Sequence, residues 1–203
     1  MYIKPRLLSL IFFSGLLTVG IASDQWQSLR NRYLHLKTLS GSFTETLKSE
    51  SEGVVNFEGR FFFQFPDRFR LEVTKPNQQI IVGSDSIIWF YFPGEKRAIR
   101  QSRSQPFPLL AFIEPLLDTT AKVTEENTTE EKPVILIQSG EGVFFTTMRL
   151  ELDRNKTKVE AFSFSDDLGN QYHFTLKEQR WNPRLSPKTF NFVPPPGTSI
   201  EYQ

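Results

Sequence analysis

Between Val55 and Val73 large apolar side chains fall on every second residue. Val55, Phe57, Phe61, Phe63 and Phe65 share one parity, with Gly59 in register among them. After Pro66-Asp67 the pattern resumes with Phe69, Leu71 and Val73, and the charged Arg68, Arg70 and Glu72 lie between them. A period of two places such residues on one face of an extended strand, whereas a helix would scatter them around its circumference. This stretch therefore has to build a sheet with one strongly apolar face, and the rest of the chain has to cover that face.

The same parity runs through most of the sequence. Phe43, Glu45 and Leu47 alternate with Ser42, Thr44 and Thr46, and short strands are expected at Ile80 to Val82, Ile87 to Phe92, Arg97 to Arg103, Val134 to Gln138, Thr146 to Leu152, Val159 to Ser165 and Gln171 to Arg180. Pro76-Asn77, Phe92-Pro93-Gly94 and Asp166-Asp167-Leu168-Gly169-Asn170 carry turn chemistry. Glu125 to Lys132 is polar and reads as an exposed loop. Two segments break the period. Residues 24–39 read as one amphipathic helix, with Trp26, Leu29, Tyr33 and Leu36 on a stripe and Gly41 ending it. Residues 106–117 are apolar on nearly every side and read as a short helix or lid, with Pro115 stopping it near Glu114. One helix and one insert cannot form a complete second layer. The expected fold is mainly β (α+β): an open, strongly curved antiparallel sheet with the helix and the lid against its concave face.

The chain has 20 phenylalanines, 2 methionines and no cysteine, so a core of large stiff rings must hold it together without disulfides. Lys4 and Arg6, the apolar run from Leu7 to Ile21, and small residues at Gly20 and Ala22 form the layout of a secretory signal peptide over residues 1–22, cut near Ala22. The remaining residues 23–203 are expected to form a single domain. The whole chain carries a formal charge of +1 and the part after Ala22 carries −1, which lacks the footprint of a nucleic-acid binder. Only two histidines occur, His35 and His173, without a second histidine or cysteine at metal spacing. No nucleophile elbow, phosphate loop or dinucleotide fingerprint is present. Asp166 and Asp167 sit in a turn signal, and Lys96, Arg97, Arg100 and Arg103 read as charge guarding a strand edge. No catalytic residue, metal or cofactor is expected.

Several stretches then resemble one family in order. These are Gly41-Ser42-Phe43-Thr44-Glu45, Glu58-Gly59 with Phe61 to Phe65, Pro66 to Glu72, Pro76 to Val82, Ile88 to Pro93, and Phe190 to Thr198. Together the chain resembles the periplasmic outer-membrane lipoprotein carriers, the LolA family. The resemblance implies a half-barrel sheet, a periplasmic location and transport of acylated lipoproteins. It implies an inner-membrane ABC transporter as donor and an outer-membrane receptor lipoprotein as acceptor, with the carrier a monomer. Two departures stand out. Glu45 replaces the glutamine of the family pattern, and Phe65 stands before the Pro where the family often has a basic residue. In the carriers that basic residue is taken to latch the lid; Phe65 has no donor, so a lid held by apolar contact is expected.

A concave face lined with phenylalanine can hide acyl chains, each methylene of which contributes about 0.8 kcal/mol when buried. The expected cavity lining is Phe43, Phe57, Phe63, Phe65, Phe69, Leu71 and Trp89. The expected lid residues are Leu109, Leu110, Phe112, Ile113 and Leu116. A carrier or sensor of another lipid or glycolipid is the alternative, and an esterase or a purely structural envelope protein are more distant ones.

Overall fold

The computed structural model describes residues 24–51, 53–84, 86–102, 108–117, 122–126, 132–138, 145 and 147–203. The expected signal peptide and Arg103 lie outside the described residues. Among these residues, twelve strands form one sheet. Helix α1 (Asp24–Leu34) leads into β1 (Thr38–Ser49), β2 (Gly53–Gln64), β3 (Arg68–Lys75), β4 (Gln79–Ser84), β5 (Ile87–Phe92) and β6 (Arg97–Ser102). The insert follows, with a 3-10 turn at Pro108–Leu110 and the one-turn helix α2 (Glu114–Leu117). Then come β7 (Lys122–Glu126), β8 (Val134–Gln138), β9 (Thr147–Leu152), β10 (Val159–Ser165), β11 (Gln171–Trp181), a 3-10 turn at Pro187–Phe190 and β12 (Ser199–Tyr202).

The sheet order is β12-β6-β5-β4-β3-β2-β1-β11-β10-β9-β8-β7. Within β1 to β6 and within β7 to β11, strands that follow one another pair antiparallel, β1 meets β11 at the middle, and β12 alone returns parallel to β6. The result is an open, strongly curved half-barrel. Two features explain the bend. Bulges interrupt the register between Ser40 and Ser42, Glu58 and Gly59, and Val159 and Ala161, and a bulge increases local twist. Large rings also lie flat across glycines on neighbouring strands. Gly41 sits opposite Phe61, and a Cβ there would come within 2.8 Å of the ring; Gly83 sits opposite Phe69, and a Cβ there would come within 2.0 Å. Absence of a side chain at these points lets an inward ring fold down onto the sheet.

Four local readings need correction. The helix stops at Leu34, and Thr38–Ser40 already belong to β1, because Gly41 serves the sheet under Phe61 rather than capping a helix. Pro115 lies in the first turn of α2 instead of ending a helix, a place where its missing N–H costs no hydrogen bond. Glu125 and Glu126, read as loop, belong to the edge strand β7, which pairs with β8. The basic run does not sit on the sheet edge either. β12 extends the sheet beyond β6, and Arg97 reaches Glu95 at 2.9 Å and Glu201 at 3.6 Å.

The core lies on the concave face. Trp26, Leu29 and Tyr33 of α1 bury their stripe against it, as the spacing predicts. The Tyr33 hydroxyl accepts a hydrogen bond from the Val159 N–H at 3.1 Å, and its ring packs 4.9 Å from that of Trp181. Leu39 and Trp181 face each other across β1 and β11, so α1 covers the end of the sheet where β1 begins. The hairpins β1–β2 and β10–β11 form the opposite end.

Candidate functional site

Alternation along each strand sets which side chains point inward. On β1 these are Leu39, Phe43, Glu45 and Leu47; on β11 they are Tyr172, Phe174 and Leu176. At the end away from α1 the inward side chains do not meet. They leave a cavity of about 260 Å³ lined by Phe43, Glu45, Leu47, Phe57, Leu71, Val73, Gln79, Ile81, Phe90, Pro108, Leu109 and Tyr172. The lining spans β1 to β5, β11 and the start of the insert, so the curve of the sheet forms the floor and the insert forms one wall. A depression of about 320 Å³ on the outer face, among Thr46, Lys48, Arg149, Ser163 and His173, is polar and shallow by comparison.

The seven expected lining residues divide into three groups. Phe43, Phe57 and Leu71 border the cavity. Phe63, Phe65 and Phe69 point to the same face but lie nearer α1. Phe63 and Phe69 are 2% and 1% exposed, packed as sealed core with Phe61 stacked 5.0 Å from Phe63. Phe65 is half-buried, its ring 6.4 Å from Phe63 and its N–H bonded to the Lys37 carbonyl at 3.0 Å. Trp89 is on the other face. Ile81 and Phe90 are partners across β4 and β5 and line the cavity, so their neighbours Val82 and Trp89, also partners, point outward. There Trp89 and Tyr91 each pack 5.4 Å from Phe192 of the C-terminal segment, which covers a small apolar patch on the convex side.

The insert is likewise divided. Leu109 borders the cavity. Phe112 packs 4.9 Å from Phe162 and 6.1 Å edge-on to Tyr33, and Ile113 and Leu116 are buried, with Leu110 packed partly buried against the same core. Apolar contact is not its only tether. The Arg30 guanidinium of α1 donates from Nε to the Leu116 carbonyl at 2.9 Å. The position of Arg30, four residues after Trp26 and three before Tyr33, puts it on the buried stripe, and that spacing was the available signal.

Glu45 is the other residue that residue patterns did not single out as a site. Its carboxyl is partly buried among the apolar lining, and burial alone pushes its pKa up to about 7. On the neighbouring strand Tyr172, the partner of Leu47, is pushed up to about 12, chiefly by burial and then by the Asp166 and Glu45 carboxylates. The Tyr172 hydroxyl donates to Asp166 Oδ2 at 3.1 Å. Burial opposes ionisation of Asp166, but donors from Asn170, Tyr172 and Leu168 outweigh it and hold the carboxyl below the usual range. Asp166 is thus the pivot of the β10–β11 turn.

The fold and the cavity together define an open half-barrel with an apolar interior closed at one end. Comparison with known proteins names the family. The model of the family "Outer membrane lipoprotein carrier protein LolA" matches residues 35–193, and the chain belongs to that family. The outer-membrane lipoprotein carrier protein of Serratia proteamaculans is 22% identical over 215 residues, covering 98% of each chain. That of Yersinia pestis is 22% identical over 214 residues, covering 98% of this chain and 99% of its own. In fold, the chain is similar to the crystal structure of an uncharacterized conserved protein from Thermus thermophilus. The TM-score is 0.56 at 12% identity, over 88% of this chain and 97% of that one.

Proposed function

We propose that the protein is a periplasmic carrier that shelters the acyl chains of lipoproteins in the Phe43–Phe57–Leu109 cavity. Residues 1–22 direct export, and residues 23–203 act as one domain. In this reading an inner-membrane ABC transporter loads the carrier and an outer-membrane receptor lipoprotein unloads it. The carrier works as a monomer, performs no reaction on its cargo and binds no nucleic acid.

The observation that carries the reading is an apolar cavity with one wall made by the insert. Its volume of about 260 Å³ is below the ~300–1,000 Å³ of common ligand pockets. A long chain would need more room, and displacing Leu109 with the rest of the insert would supply it. The Arg30 to Leu116 hydrogen bond and the Phe112 contacts hold the insert in place until cargo repays their loss. Burial of methylenes at about 0.8 kcal/mol each supplies that free energy within roughly six to ten carbons.

The carrier of a free lipid or glycolipid is kept as a second reading because a carboxyl stands among the apolar lining. Mass spectrometry on protein purified from its native envelope distinguishes the two. Acylated polypeptide supports the lipoprotein carrier, free lipid alone supports the second reading, and recovery of neither under gentle conditions counts against both.

A further inference from the structure

Glu45 is the one acidic group among the described residues that line the cavity, and those residues include no lysine, arginine or histidine. Among the described residues no hydrogen bond or ion pair reaches its carboxyl. A carboxylate in such surroundings lacks both solvent and counter-charge. The partly buried carboxylates of Glu72 and Asp166 are satisfied, Glu72 by Arg60 and Arg70 and Asp166 by its turn. Glu45 is aimed at the empty space instead. Resting on the carrier reading above, we infer that Glu45 is a specificity residue, and that the cavity takes amphiphiles bearing a protonated amine close to the root of the alkyl chain.

An ammonium supplies what the site lacks. It donates hydrogen bonds to both carboxylate oxygens and restores charge balance while its alkyl chain runs along Phe43, Phe57 and Leu71. A neutral amide or hydroxyl can donate to the carboxylate but brings no counter-charge. A fatty carboxylate would meet a like charge and is disfavoured. Among the described lining residues the other titratable group is Tyr172, which stays neutral below about 12 and is already engaged with Asp166. Asp166 itself is ionised throughout the neutral range and lies behind Tyr172. It adds to the negative field at the cavity mouth and does not titrate with Glu45. The remaining described lining residues, from β2 to β5 and the insert, are not ionisable.

The test uses the purified full-length mature chain and two probes of equal chain length, dodecylamine and dodecanol, below their aggregation concentrations. At pH 8, where Glu45 is ionised and the amine is protonated, dodecylamine should bind about tenfold more tightly than dodecanol. The preference should fade as pH drops through about 7, since Glu45 then takes up a proton while the amine keeps its charge. In Glu45→Gln the two probes should bind with equal affinity at every pH. The parent's pH profile needs no variant, so a poorly folding Glu45→Gln would leave the idea exposed to refutation. Equal affinity of the two probes for the parent at pH 8, or a preference that survives in Glu45→Gln, overturns the assignment. Failure of both probes to bind at all overturns the carrier reading on which it rests, and that result is distinct from loss of selectivity alone.

Discussion

The two ends of the concave face are built from the same kind of residue on the same strands, yet one is solid and the other hollow. Under α1 and the insert, Phe61, Phe63, Phe69 and Phe112 are each 2% exposed or less. The rings of Phe61 and Phe63 stack at 5.0 Å, and Phe112 packs 4.9 Å from Phe162. At the other end Phe43, Phe57 and Phe90 stand around about 260 Å³ of space with Glu45 among them. Both ends have the alternation that makes a sheet. Only one has the helix above it; the insert packs Phe112 and Leu116 there and reaches the other end with Pro108 and Leu109. The difference is one of cover, and cover comes from distant parts of the chain. The comparison teaches that phenylalanine on this face has two places: in solid core where α1 reaches, and around a cavity where it does not.

Substitutions at the two ends should therefore behave in opposite ways. The largest effect is expected from Phe112→Ala, which empties the centre of the solid end. A loss of about 3–5 kcal/mol in unfolding free energy by urea denaturation fits a buried ring. A loss below about 1 kcal/mol would place Phe112 in a loosely held lid and dissolve the contrast.

A smaller effect is expected from Arg30→Ala. It removes a charged donor from the Leu116 carbonyl, worth about 1.5–3 kcal/mol. The cost should be local. Hydrogen exchange at residues 109–116 should speed up about ten- to hundredfold while β1 and β2 stay protected. Exchange that accelerates everywhere would show that the insert opens only with the whole fold, and the insert could not then be a lid.

Phe57→Ala should have the smallest effect on stability, under about 1 kcal/mol, because its ring borders space rather than packed neighbours. Its cost should appear in binding, as a three- to tenfold weaker affinity for an alkyl-chain probe, or about 0.6–1.4 kcal/mol. A Phe57→Ala protein that is strongly destabilised would mean the hollow end is core as well.

Much of the fold was legible in the residues. The positions of β1 to β6 and β8 to β11, the turn at Asp166 and the stripe of α1 all follow from local spacing, because period and turn chemistry are properties of a few neighbouring residues. The site was legible in part. Phe43, Phe57, Leu71 and Leu109 could be found from parity and from the apolar insert. Trp89 could not be placed by resemblance, since its side of β5 depends on Phe90 facing inward, and the apolar patch it joins is closed by Phe192, far along the chain. Phe69 shares the parity and the burial of Leu71 but lies outside the cavity lining.

The sequence by itself determined which residues share a face, where the chain turns, and that a cysteine-free chain rich in phenylalanine would pack one face of a sheet. Those outcomes depend on steric rules acting over two to four residues. Only the tertiary structure decided which inward rings are covered and that β12 returns parallel beside β6. It alone joined Arg30 to a carbonyl 86 positions away, and left Glu45 partly buried without a hydrogen-bond or ion-pair partner among the described residues. Burial and desolvation are set by whatever packs above a residue, and what packs there is brought from elsewhere in the chain by the closing of the whole sheet.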